Sequence, residues 1–128
     1  MYRNKKDVDK HVENLISKLS VKEFKTRAYS VARLYFEVGD YASCQRYVEQ
    51  YLTQKVNNAA AYKLLGQALQ KLGQKEKALE QYKTSLDVDP TQTSTILDIC
   101  ELLVDDDVSI DPGRARYWCE KAEAIFPR

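Results

Sequence analysis

The chain has 128 residues, 44% hydrophobic and 30% charged, which is the balance of one ordinary globular domain able to bury a core. No apolar run approaches the ~20 residues that cross a bilayer, so membrane insertion is not expected, and the start MYRNKKDVDK lacks the apolar stretch of a secretory signal. The net charge of +1 hides a division: residues 1–27 hold eight Lys/Arg against four Asp/Glu, 28–86 eight against five, 87–111 none against eight, and 112–128 four against two.

Most of that charge reads as solvated helix surface, while the basic first half also suits an acidic partner or a phosphate backbone. With neither a signal nor an Asn-x-Ser/Thr sequon, the cytosol or nucleus is the expected compartment.

In chain order, a first helix is expected from Asp7 or a neighbour to Leu19, with Val8, Val12, Leu15, Ile16 and Leu19 as its apolar stripe. Ser20-Val21-Lys22-Glu23 fits a capping box and opens a second helix that stops before Gly39. Asp40 begins a third, ending near Lys55. Asn58 caps a fourth over 59–72, closed by Gly73, and a fifth runs from about Gln74 to the region of Pro90. Thr91 is the expected cap of a sixth helix reaching about Val104. Asp111-Pro112, an N-cap followed by proline at the first helical position, starts a seventh that runs to Ile125.

These helices repeat. Tyr62-x2-Leu65-Gly66-x2-Leu69 is followed by Ala78-x3-Tyr82, Ser85 and Pro90. Thirty-four residues earlier stand Ala28, Val31, Ala32 and Tyr35, then Gly39, Cys44, Val48 and Tyr51. Thirty-four later stand Ile96, Ile99, Cys100 and Leu103; the second helix of that unit arrives three residues late, as Ala115, Cys119, Ala122 and Pro127. The pattern resembles the tetratricopeptide repeat, a helix–turn–helix unit of 34 residues, and its middle copy fits best. The resemblance implies an all-α fold: an α-solenoid of three tetratricopeptide helix pairs with an extra N-terminal helix. Residues 1–24 are its expected capping segment, and units at about 25–58, 59–92 and 93–128 form one continuous domain.

Two antiparallel helices that approach closely need small residues where their backbones nearly touch. Gly66, Ala32 and Cys100 hold that place on the first helices, and Ala78, Cys44 and Ala115 on the second. Cys119 aligns with Tyr82 and Val48. Three cysteines are an odd number without CxxC spacing, which argues against a disulfide framework and a zinc site. All three are expected to pack as small buried hydrophobes.

No constellation for catalysis or cofactor binding is evident. The lone histidine, His11, sits in a charged segment without neighbouring ligands, and the four glycines form no phosphate loop. The acidic run 105–107 lacks the further oxygen ligands and turn glycine of a calcium loop and reads as solvated. No metal and no cofactor are expected, and the chain does not read as an enzyme.

Solenoids bind along the concave face lined by the first helix of each pair. The side chains expected there are Thr26, Tyr29, Arg33 and Phe36; then Lys63, Gln67, Gln70 and Lys71; then Ser94, Leu97, Asp98 and Glu101. That groove would suit an extended peptide or helix. Its basic and aromatic end would also suit single-stranded RNA. The two-carboxylate clamp of tetratricopeptide co-chaperones is excluded, because Tyr29, Arg33, Leu64, Ser94 and Asp98 stand at its positions and none has the required type.

More narrowly, KKDVDKHV, ARLYFEVGDYASCQRYVEQYL, DPTQ, ICELLVDDDV and GRARYWCEKAEAIFP are similar to the start of the large Ran-binding nucleoporins. The likeness spans the whole chain. It implies the N-terminal tetratricopeptide domain of a longer protein at the cytoplasmic face of the nuclear pore. Such a domain would dock other nucleoporins or transport proteins in support of import and RNA export, and its last helix pair would expose an apolar face that following helices cover. It also implies a basic RNA-contacting surface at Arg33, Lys63 and Lys71, with Lys25 and Arg27 beside them. The family's Ran-binding domains, zinc fingers and phenylalanine-glycine repeats have no counterpart motif in these residues.

Overall fold

The computed structural model describes residues 2–55, 57–104 and 112–126. Among them the secondary structure is helical: α1 Lys5–Lys18, α2 Val21–Glu37, α3 Tyr41–Leu52, α4 Ala59–Lys71, α5 Lys75–Val88, α6 Ser94–Val104 and α7 Pro112–Ile125. Each helix packs chiefly on its chain neighbours, α2 on α3, α4 on α5 and α6 on α7, with α1 against α2. That adjacency makes an all-α solenoid of helix pairs.

Local chemistry sets the boundaries. Ser20, Asp40 and Asn58 each accept the backbone N–H three residues on, from Glu23, Ser43 and Ala61 at 3.1, 3.2 and 3.2 Å. Gly39 and Gly73, at φ of 83° and 82°, end α2 and α4 in the left-handed region. Their turns close alike: Asp40 N–H donates to the Tyr35 carbonyl and Gln74 N–H to that of Leu69, both at 2.9 Å.

One expected start is narrowed to a single residue and another shifts. Asn4, not Asp7, caps α1, and Asn4 Oδ1 accepts the Asp7 N–H at 3.1 Å, leaving Asp7 in the first turn where its charge favours the helix dipole. Thr91 does not cap α6. Asp89 Oδ1 holds it in a tight turn by accepting both its N–H and its hydroxyl, at 3.0 and 2.5 Å, so the helix starts at Ser94. The start at Asp111 and the acidic run 105–107 lie outside the described residues.

The core runs through all three pairs. Ala28, Ala32, Cys44, Val48, Ala61, Ala68 and Ala78 are completely buried, so the small residues do sit where the helices meet. A Cβ on Gly66 would lie 2.6 Å from Tyr82 Cε1, so this glycine is the socket for that ring. Tyr82 is 1% exposed and donates its hydroxyl to Gln70 Oε1 at 2.8 Å, which satisfies its one buried polar atom. Polar links tie this pair together and reach the next: Ser85 Oγ of α5 donates to the Ala59 carbonyl of α4, and Gln92 Nε2 donates to both Ser85 Oγ and Thr95 Oγ1 of α6.

α1 covers the open side of α2. It buries Val8 and Val12, Asp9 accepts the Tyr35 hydroxyl at 2.6 Å, and Lys5 pairs with Asp40 at 3.3 Å.

The cysteines require a correction. Cys44 is buried and free as expected, and burial, with Asp40 nearby, pushes its thiol up to about 12. Cys100 and Cys119, expected to pack as separate thiols, are instead joined in a disulfide between α6 and α7, with Cα atoms 4.8 Å apart. The cause lies in the repeat register. Cys100 occupies the place of Gly66 and Cys119 that of Tyr82, the two positions in direct contact in the middle pair.

Candidate interaction surface

The row of first helices α2, α4 and α6 carries the residues expected to form the groove. At the 34-residue shift, Tyr29, Lys63 and Leu97 share one level, and Arg33, Gln67 and Glu101 the next. Arg33 and Lys71 are exposed, while Tyr29, Phe36, Lys63 and Gln67 are half-buried. Tyr29 tilts against Tyr51 with ring centroids 5.5 Å apart, and burial raises its phenol pKa despite the charge of Arg33. Phe36 meets Tyr41 edge-on at 5.2 Å. Both rings are therefore engaged in packing.

Lys63 spans the groove from α4 to α6. Its ammonium donates to Ser94 Oγ at 2.6 Å and stands 3.5 Å from Asp98 Oδ2. Burial lifts the Asp98 carboxyl above its usual range, and Lys63 offsets only part of that. Asp98 Oδ2 is buried and compensated by charge, without a hydrogen bond among the described residues. Lys63, one of the basic positions of the expected site, thus carries its own counter-charge. Repeat arithmetic holds a signal for this pairing, since residue 97 lies level with Lys63 and Ser94 and Asp98 flank it.

Two expected members border recesses that α2 shares with its neighbours. Lys25 lines a recess of about 220 Å³ with Ile16, Leu19, Phe24 and Tyr47, where α1, α2 and α3 meet. Arg27 lines a smaller one of about 130 Å³ with His11, Leu15 and Leu34, between α1 and α2. A broader polar recess of about 840 Å³, with Tyr51, Asn58, Asp89 and Gln92 in its wall, lies between the α3–α4 and α5–α6 turns. Turns, not the first helices, supply most of its wall, so the spacing of first-helix residues carries no signal for it.

No group of three or more metal-ligating side chains occurs among the described residues. His11 lies beside the Tyr2 ring at 5.3 Å. No described helix is long and apolar enough to cross a membrane.

Residues 59–92 match the family model of the tetratricopeptide repeat. Over 128 residues the chain is 33% identical to human RANBP2-like and GRIP domain-containing protein 8, covering 99% of this chain and 7% of that protein. It is 32% identical to the human E3 SUMO-protein ligase RanBP2, over 99% of this chain and 4% of that protein. With human RANBP2-like and GRIP domain-containing protein 1 it shares 38% over 103 residues, 80% of this chain and 6% of that one. The chain thus spans less than a tenth of each of these relatives.

Among solved structures, the crystal structure of MamA superposes with a TM-score of 0.79 at 14% identity, over 96% of this chain and 71% of that one. The Yersinia enterocolitica type III secretion translocator chaperone SycD gives 0.71 at 15% identity, over 88% and 76%. These two share the fold. Helix pairs, repeat match and homology over 99% of this chain agree that it is a tetratricopeptide-repeat chain homologous to a segment of RanBP2 and of the RanBP2-like and GRIP domain-containing proteins.

Proposed function

We propose that the chain is a non-enzymatic docking module, a scaffold part of a nuclear-pore component at the cytoplasmic face of the pore. It supports nucleocytoplasmic transport by holding other nucleoporins or transport proteins in its groove. The observation that carries this reading is the Lys63–Ser94–Asp98 contact between α4 and α6. It leaves a groove of mixed charge, with Arg33 and Lys71 exposed on α2 and α4 and Glu101 exposed on α6. A mixed surface of this kind matches a peptide or helix with charges of both signs better than it matches a continuous phosphate backbone. The ligase chemistry in the name of RanBP2 is not carried over to a segment that spans 4% of it.

A second reading, single-stranded RNA along Arg33, Lys63 and Lys71, is favoured by the exposure of Arg33 and Lys71. Immobilised chain exposed to cell extract with and without ribonuclease separates the two. Pore-scaffold proteins that remain after ribonuclease, and are lost in Arg33→Glu/Lys71→Glu, support the docking module. Retention that vanishes with ribonuclease, with an affinity for a uridine oligonucleotide that falls linearly in log–log salt, assigns the groove to RNA.

A further inference from the structure

We propose that the recess at the α1–α2 turn is a second docking site, separate from the groove, for an acidic peptide segment that inserts one bulky apolar side chain. Ile16 is 56% exposed and Val21 74% exposed. Single exposed hydrophobics are ordinary on a protein surface. These two differ because both border one recess of about 220 Å³, whose floor is Leu19, Phe24 and Tyr47. Phe24 and Tyr47 meet edge-on at 5.9 Å, and Tyr47 stacks on Tyr35 with an interplanar angle of 2°. The aromatic wall is therefore fixed before any partner arrives, which lowers the ordering cost of binding.

The rim states the partner's charge. Lys25 lines the recess, Arg46 lies over the Tyr47 ring at 4.8 Å, and the exposed Lys18 and Lys22 adjoin the lining residues Leu19 and Val21 in sequence. Among the described residues Lys18, Lys22 and Lys25 form no ion pair. Between residues 16 and 25, the stretch that borders the recess, the sequence holds three Lys and a single acid, Glu23. An apolar floor inside an uncompensated basic rim selects an apolar anchor flanked by Asp or Glu. Burying the anchor supplies affinity, and the flanking charges supply orientation and approach rate.

The test uses the 128-residue chain and three fluorescein-labelled peptides: a leucine with Asp and Glu on both sides, the same peptide with the leucine replaced by alanine, and the leucine peptide with lysine flanks. The acidic leucine peptide should bind at least tenfold tighter than either control and shift the amide resonances of Phe24 and Tyr47. Val21→Glu, an exposed change at a helix start, should weaken it by at least tenfold, and Arg33→Glu in the groove should leave it unchanged. Equal binding of the lysine-flanked peptide overturns the proposal, as does full binding to Val21→Glu or a shift pattern centred on Arg33 and Gln67. If a uridine oligonucleotide or self-association alone moves Phe24 and Tyr47, the recess belongs to nucleic acid or to a second copy, and the proposal fails. The docking module proposed for the groove stands or falls apart from these outcomes, because its variants are Arg33→Glu and Lys71→Glu.

Discussion

The middle and last helix pairs meet the same structural demand in different ways. In α4/α5 the absence of a side chain at Gly66 admits Tyr82, whose ring is buried and whose hydroxyl reaches Gln70. In α6/α7 the corresponding positions hold two cysteines, and a covalent bond takes the place of a ring in a socket. The rest of α7 is thinly packed. Among its described residues only Ala122 is buried, while Tyr117 and Ile125 are exposed. An ion pair from Arg114 to Glu76 at 3.0 Å reaches back to α5, but Glu76 is 73% exposed, and such pairs contribute little. One contact position can thus be served by shape, which is permanent, or by sulfur chemistry, which depends on the redox state.

The sharpest way to break this comparison is to remove the ring. Tyr82→Ala should destabilise the chain by about 3–5 kcal/mol, the cost of a large core truncation, and should loosen α4 and α5 together in hydrogen exchange. Next comes reduction of the disulfide, or Cys119→Ser. Closing a loop over a sequence separation of 19 stabilises by about 3 kcal/mol. Its loss should therefore lower protection in α7 while α4 keeps its own. Equal protection of α7 with and without reductant would mean that packing alone holds the last pair. Gly66→Ala is a smaller change with a clear cause. The added methyl meets the Tyr82 ring, and overpacking of this kind costs about 1–3 kcal/mol. Unchanged stability in that variant would show that the ring can move aside and that the socket is not tight.

The fold was legible because its signals are local. Glycine ends helices where only a left-handed residue continues the turn, as at Gly39 and Gly73, and apolar spacing of three and four marks the buried faces. Asn4 and Thr91 were harder, because several cap-forming residues lie close together and the choice among them depends on hydrogen bonds to neighbours. The candidate site was legible only in part. Repeat spacing places Arg33 and Lys63 on first helices, but it does not show that Asp98 compensates Lys63, nor that Lys25 belongs to a recess shared with α1 and α3. The disulfide was present in the register all along. Aligning Cys100 with Gly66 and Cys119 with Tyr82 identifies a contact pair, which an odd cysteine count without CxxC spacing does not reveal.

The smallest effect concerns sign rather than size, and it asks whether α6 keeps its seat when the last pair is loosened. Burial acts upward on the Asp40 carboxyl, but hydrogen bonds from Ser43 and the charge of Lys5 outweigh it, so its folded pKa lies below the ordinary 3.8. Its contribution to stability is full above 3.8 and is lost as the pH falls below that through the folded value. Asp98 is shifted the other way, mainly by burial against α4. Its folded form takes up a proton before its unfolded form does, so it adds stability as the pH falls through the folded value, with the gain complete below 3.8. Asp40→Asn should therefore make the loss of stability between pH 5 and 3 shallower, and Asp98→Asn should make it steeper, as read from urea midpoints. Repeating the Asp98→Asn measurement under reductant then tests the coupling between the pairs. A slope change that persists means α6 stays on the middle pair, through Lys63 of α4 and the Gln92 links to α5, without the disulfide, and only α7 depends on sulfur. A slope change that disappears means the bond to Cys119 holds α6 in place as well, and the whole last pair is conditional on oxidation.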